Sequence, residues 1–156
     1  MIEFFVPGKP QALKRHRTYR MPNGKTVRVD PSRTAKDDFL AKAMEHRPEE
    51  PLRGPIYLGV KCLFPRPKSH YRTGKYAHTL KDNAPQWHTS VPDTDNILKF
   101  IGDALNGIFW LDDRQIVWVR AMKRYGDTPG IEIKIEDIQP LPYKRHEDAM
   151  RFVLSL

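Results

Sequence analysis

Cysteine is almost absent: Cys62 stands alone in 156 residues, which excludes an intramolecular disulfide and fits a reducing compartment. No stretch reaches the roughly 18 consecutive apolar residues of a membrane span, and no basic lead-in to an apolar segment opens the chain. Membrane insertion and export are therefore not expected, and the expected address is the cytoplasm. Acids are scarce beside bases. Nineteen Asp and Glu face 27 Lys and Arg, a formal net charge of +8 and a pI of about 9.7. A field of that sign concentrates polyanions at the surface, nucleic acid above all. The 39% hydrophobic share is too high for a disordered chain. The length suits one domain, residues 1–156, burying roughly two-thirds of its unfolded surface.

Residues 2–6, Ile-Glu-Phe-Phe-Val, form a short β-type run closed by Pro7-Gly8. A basic stretch follows over about residues 9–33. It carries Lys9, Lys14, Arg15, Arg17, Arg20, Lys25, Arg28 and Arg33 against one acid, Asp30. Pro22-Asn23-Gly24 in its middle is a turn signal suited to the tip of a hairpin. Residues 34–47 read as a helix with Phe39, Leu40, Ala43 and Met44 on one side and Ser32 or Thr34 as its cap. Ile56, Leu58, Val60, Cys62 and Phe64 alternate strictly, the mark of a half-buried strand in which Cys62 is a small buried hydrophobe. Residues 65–92 show no period and read as a long loop, basic through Lys68, Arg72, Lys75 and Lys81. Gln115–Lys123 reads as a strand, as does the segment holding Ile131, Ile133 and Ile135, and Trp110 and Trp118 read as core. The tail, about 143–154, reads as a docked helix. The sum is an α+β fold, a small mixed sheet with helices packed against it.

The chemistry concentrates between Pro92 and Asp113. Ile97, Leu98, Ile101, Leu105 and Ile108 recur at helical spacing and face the core, and Gly107 suits the left-handed residue that closes a helix. Asp95, Lys99 and Asp103 recur every fourth residue on the opposite side. Asp93 and Asp95 sit at or before the first turn, where unpaired backbone N–H groups favour carboxylates. One reading is an N-capped surface helix with Asp-Lys-Asp salt bridges, each worth a few tenths of a kcal/mol. The other is a metal site, because close carboxylates repel unless a cation lies between them, and hard oxygen ligands select Mg²⁺ or Mn²⁺. A second acidic pair, Asp112-Asp113, returns from the helix end through the Gly107 turn and Phe109-Trp110-Leu111. In a chain of net +8, four acids on two neighbouring elements favour the metal.

Asp-Thr-Asp-Asn-Ile-Leu-Lys at 93–99, Asp-Ala-Leu-Asn-Gly at 103–107 and Phe-Trp-Leu-Asp-Asp-Arg-Gln-Ile at 109–116 resemble the signature of the RusA family of Holliday junction resolvases. The match is close through these segments, extends more loosely over residues 1–138, and leaves about the last 18 residues without a counterpart. The resemblance implies a RusA-like fold, a dimer, a bacterial or phage source and cleavage of four-way DNA junctions that depends on Mg²⁺, or on Mn²⁺ in its place. It implies that Asp93, Asp95 and Asp113 bind the metal and that Lys99 is the catalytic lysine. Asp112 is the secondary candidate of its pair, with turn-capping as its plain role. Asp103 is expected to partner Lys99, and Asn96 to orient a carboxylate or touch the DNA backbone.

One departure stands out. Relatives place arginines directly before the Asp-x-Asp, whereas here stands Trp87-His88-Thr89-Ser90-Val91-Pro92. Basic charge lies instead in the two loops, where Lys14, Arg15, Arg17, Arg20, Lys68 and Arg72 are expected to bind phosphate. Tyr19, Tyr71, Tyr76 and Trp87 are available to stack on unpaired bases, with ordinary packing as the alternative. His16, His70, His78 and His88 lack zinc spacing and are expected to meet phosphate or solvent. Pro92-Asp93 with Glu132-Ile133-Lys134 imitates another nuclease pattern, but some 39 residues intervene and Lys99 and Asp112-Asp113 would be left idle. Two alternatives stay open: a non-catalytic DNA-binding protein, and a general nuclease of flaps and forks.

Overall fold

The computed structural model describes residues 1–138, so the tail helix expected at 143–154 lies outside the described residues. In chain order the elements are β1 (Ile2–Pro7), β2 (Arg17–Arg20), β3 (Thr26–Val29), α1 (Arg33–Ala43), β4 (Ile56–Pro65), α2 (Thr94–Leu105), β5 (Ile116–Gly126) and β6 (Gly130–Asp137). Four strands form one sheet in the order β1-β6-β4-β5, while β2 and β3 form a separate ribbon. β6 runs antiparallel to β1 and β4, and β4 runs parallel to β5. The expected α+β architecture with a mixed sheet is what the chain adopts.

The parallel pair matters most for function. Parallel neighbours need a crossover, and here the crossover consists of the 66–93 loop and α2. It lays α2 beside α1 on one face of the sheet. Leu58, Val60, Cys62 and Phe64 of β4 point to that face, beside Ile131, Ile133 and Ile135 of β6 and Phe4 and Val6 of β1, and all are buried. From the helices, Phe39, Ile97, Phe100, Ile101 and Leu105 complete the core, with Phe39 meeting Phe100 edge to face at 5.6 Å. Leu98 and Ile108 are only partly buried.

Among the described residues, the opposite face of the sheet has no helical cover. Lys61 pairs there with Glu132 at 2.7 Å and Lys134 with Glu136 at 2.7 Å. Trp118 lies on this open face, half-buried and edge to face with Tyr57 at 5.3 Å, so it is not the core residue its apolar strand suggested. β5 is an edge strand of the four-stranded sheet, and loop residues 86–88 pair along its outer edge, with the Tyr125 N–H donating to the Gln86 carbonyl at 2.9 Å and the His88 N–H to the Lys123 carbonyl at 3.3 Å. Trp110 is wholly buried as expected.

Glycine closes two decisive turns. Gly107 ends α2 at φ +76°, and Gly24 turns the ribbon at φ +80°, both left-handed conformations that cost glycine least. α1 begins one residue earlier than expected and ends in a 3-10 turn, Met44–His46. Ser32 holds the N-cap position of α1 but does not cap it. Its hydroxyl instead accepts the backbone N–H of Lys14 at 2.8 Å. Among the described residues, no helix is long and apolar enough to cross a membrane.

Candidate active site

The start of α2 presents two carboxylates. Asp93 is the N-cap residue in extended backbone, and its side chain makes no cap hydrogen bond. The helix-capping reading therefore does not account for this acid, and its carboxylate is exposed. Asp95 follows in the first turn, exposed, with Lys99 one turn on and its ammonium 3.1 Å from Asp95 Oδ2. That hydrogen bond holds the Asp95 carboxyl below its ordinary range.

The second acidic pair divides its work. Asp112 accepts the backbone N–H and the Nε–H of Arg114 at 2.9 Å each, while its own N–H donates to Gln115 Oε1 at 2.9 Å. This is a capping box on the 3-10 turn Asp113–Gln115, and the Arg114 contact lowers the Asp112 pKa. Gln115 also donates to the carbonyls of Leu52 and Gly54 at 2.8 and 2.9 Å, which ties the turn to the chain before β4. Asp112 is thus the structural acid. Asp113 points the other way. Its Oδ1 accepts the indole N–H of buried Trp110 at 2.8 Å, and its Oδ2 lies 3.3 Å from where a Cβ on Gly102 would stand.

Gly102 is the link that sequence reasoning missed. It lies seven residues past Asp95, about two helical turns, and so on nearly the same side of α2. Lacking a Cβ, it lets the Asp113 carboxylate rest against the helix that carries Asp93, Asp95 and Lys99. Asp103, the next residue, partners Lys36 at 3.4 Å, whereas Lys99 partners Asp95. The expected Asp103–Lys99 pairing is therefore corrected. Lys36 also meets Asp30 at 2.7 Å, which makes it a bridge between the foot of the ribbon and α2.

The set Asp93, Asp95 and Asp113 supplies hard carboxylate oxygens, the donors that Mg²⁺ and Mn²⁺ prefer. The donor chemistry fits such an ion. Yet among the described residues no three acidic, His or Cys side chains stand close enough together to chelate one. Asp95 is turned to Lys99 and Asp113 to Trp110, so the acids are shared among different partners.

The family model for the endodeoxyribonuclease RusA matches residues 7–136, which takes in every one of these side chains. The chain belongs to the RusA endodeoxyribonuclease family. Similar proteins include YqaN of Bacillus subtilis (strain 168), an uncharacterized protein, at 34% identity over 88% of this chain and 96% of its own length. Another is the crossover junction endodeoxyribonuclease rusA of Lactococcus phage r1t, at 28% identity over 86% of this chain and 95% of its own. The enzyme class expected from the motif, an endodeoxyribonuclease that hydrolyses phosphodiesters, is that of the family.

Around this RusA-type site the basic segments take definite places. The Leu13 N–H donates to the Asn96 carbonyl at 3.0 Å, so the segment leading into the ribbon is stitched to the first turn of α2. Lys14, Arg15, Arg17 and Arg20 are all exposed beyond that stitch. Lys68 is exposed, while Arg72 is engaged by Asp82 at 2.8 Å. Trp87, Tyr76 and Tyr19 are 57%, 50% and 49% exposed, open enough to stack on bases, whereas Tyr71 is half-buried. His70 and His88 are only partly exposed and lie among aromatic rings rather than open to solvent as expected. His88 stacks on Phe64 at 3.7 Å, and His70 and His88 both pack edge to face on Tyr125. Burial, then the charge of Lys123, pulls the His88 pKa down.

Lys123 is a second residue that sequence reasoning missed. It sits on the helix-facing side of β5 and donates to the carbonyls of Ser90 at 2.9 Å and Pro92 at 2.7 Å. Pro92 directly precedes Asp93 and Ser90 lies three residues before it, so Lys123 ties down the end of the loop that leads into Asp93 and α2. No local pattern announces it, since the clamp spans 31 and 33 residues.

Proposed function

We propose that this endodeoxyribonuclease resolves Holliday junctions by paired symmetric nicks, serving DNA recombination and repair in the cytoplasm of a bacterium or a phage-infected cell. Asp93, Asp95 and Asp113 hold Mg²⁺, or Mn²⁺ in its place, and Lys99 acts at the scissile phosphate. The observation that carries this reading is the Gly102 contact, by which Asp113 is packed onto the helix that presents Asp93, Asp95 and Lys99. A divalent ion bound there supplies Lewis-acid polarisation of the phosphoryl oxygens and acidifies water for attack.

The remaining work falls to the chain. Trp110 aims Asp113, Lys123 positions the entry to Asp93, and Lys99 is placed to neutralise charge that builds on the phosphate as the bond breaks. Asp95 and Lys99 hold one another at 3.1 Å, and parted they would offer a carboxylate to the metal and an ammonium to the phosphate. Asn96 is fixed through its carbonyl and leaves its side chain for the DNA backbone. A four-way junction has two-fold symmetry and needs two cuts, so a homodimer matches substrate to enzyme.

The test is cleavage of a synthetic mobile four-way junction, a flap and a linear duplex with Mg²⁺, with Mn²⁺ and with EDTA. Metal-dependent, symmetric nicks in the junction alone are expected. Equal cutting of the flap would make this a general branched-DNA nuclease. Binding without cleavage in either metal would make it a DNA-binding protein.

A further inference from the structure

The β2–β3 ribbon stands apart from the sheet, and all eight of its residues are exposed. Its register places Arg17 opposite Val29, Thr18 opposite Arg28, Tyr19 opposite Val27 and Arg20 opposite Thr26. Directly opposed residues of an antiparallel pair share a face, and alternate residues take opposite faces. One face therefore carries Thr18, Arg20, Thr26 and Arg28, all hydrogen-bond donors and two of them cations. The other carries Tyr19, Val27 and Val29, which are 49%, 42% and 42% exposed, with Arg17 opposite Val29 at its foot. No acid occurs from residue 17 to residue 29.

Both feet of the ribbon are tied down beside the site. Leu13 bonds to Asn96, Lys14 to the Ser32 hydroxyl, and the Ser32 N–H to Asp30 Oδ1 at 2.8 Å. Lys36 then bridges Asp30 and Asp103 of α2. The feet of the ribbon are thereby held beside the first turn of α2, which carries Asp95. The exposed Tyr19/Val27/Val29 patch on such an arm packs against no other element among the described residues.

We propose that this ribbon is a two-faced DNA arm. Its Thr18/Arg20/Thr26/Arg28 face seats on the sugar-phosphate backbone of the duplex next to the cut. Its Tyr19/Val27 face meets bases that a branch point leaves unstacked. Phosphate contacts fix register without reading sequence, whereas an aromatic ring stacks only on a base that has lost its neighbour. The ribbon thus separates affinity from branch selection on its two faces. The inference rests on the reading of the chain as a nuclease of branched DNA.

The full chain is titrated against a labelled four-way junction and a linear duplex in EDTA, between 50 and 200 mM NaCl, so that binding is read without cleavage. Arg20→Ala/Arg28→Ala is expected to weaken both DNAs alike and to flatten the log–log salt slope by about 2, from roughly 0.9 per phosphate contact. Tyr19→Ala is expected to weaken the junction by about tenfold, the worth of one stacked base, with duplex affinity and salt slope unchanged. Arg47→Ala/Arg53→Ala, off the ribbon, serves as the control for net charge. An equal slope change in that control, an unchanged slope in the ribbon double variant, or equal loss of both DNAs in Tyr19→Ala would overturn the proposal. Because no turnover is measured, a wild-type chain that binds both DNAs but never cuts would sink the resolvase reading and leave the arm standing.

Discussion

Gly102→Ala separates stability from catalysis at a single methyl group. In a helix interior, alanine is favoured over glycine by up to about 1 kcal/mol, so on backbone grounds the variant is as stable as the parent or more so. The new Cβ would stand 3.3 Å from Asp113 Oδ2, 3.6 Å from its Cγ and 3.7 Å from its Oδ1. The first contact is tight enough to push the carboxylate back by a few tenths of an ångström. Asp113 cannot yield freely, because buried Trp110 holds its other oxygen at 2.8 Å. If a misplacement of about 1 Å costs on the order of 100-fold, a third of that costs about fivefold. Junction cleavage at saturating DNA is thus expected to fall by about 3- to 10-fold and the metal requirement to rise, with the thermal midpoint level or raised. Gly102→Val, larger and β-branched, is expected to be weaker still. Wild-type turnover at an unchanged metal requirement would refute the reasoning, as would a loss of activity that merely follows a lowered midpoint.

Three further outcomes follow from other contacts. Lys123→Met frees the Ser90 and Pro92 carbonyls and is expected to lower turnover by roughly tenfold, while DNA affinity measured in EDTA stays near wild type; an equal loss of affinity would contradict a positioning role. Asp30 is held below its ordinary pKa by its hydrogen bond to Lys36, so the stability it contributes is present above its unfolded value of about 3.9 and is lost as pH falls through the lower folded value. Melting curves taken from pH 6 downward are expected to fall more steeply for wild type than for Lys36→Met, and parallel curves would dismiss the pair. Burial pushes the Cys62 thiol up to about 12, so iodoacetamide at pH 8 is expected to spare the native chain and to label it once in denaturant.

Local pattern carried much of this structure. Strict alternation marked β4 and β6, the 3.6-residue period and Gly107 marked α2, and Pro22-Asn23-Gly24 marked the ribbon tip. Each is a property of neighbours in the chain. What escaped depends on partners far away in it. The parallel pairing of β4 with β5 could not be read from either strand, and the open face beside Trp118 follows from that strand order. Asp103 looked like a partner for Lys99 four residues back, but Lys36, 67 residues away, claims it. Ser32 looked like a helix cap, yet Lys14 uses its hydroxyl. The division between Asp112 and Asp113 became visible only once Arg114, Gln115 and Trp110 had taken their places. Gly102 carried no signal at all, since a missing side chain speaks only when something lies against it.

The central claim is that Asp93, Asp95 and Asp113 act together through a divalent metal on a symmetric branched substrate. The most direct measurement is linearisation of a supercoiled plasmid bearing an extruded cruciform, where paired nicks across the junction yield a linear product. Wild type is expected to linearise it in Mg²⁺ and not in EDTA. Asp93→Asn and Asp113→Asn should bind but not cut, while Asp112→Asn, which loses only a turn cap, should still cut. A linear product from Asp113→Asn, or an inert Asp112→Asn that is folded and binds DNA, would contradict the account.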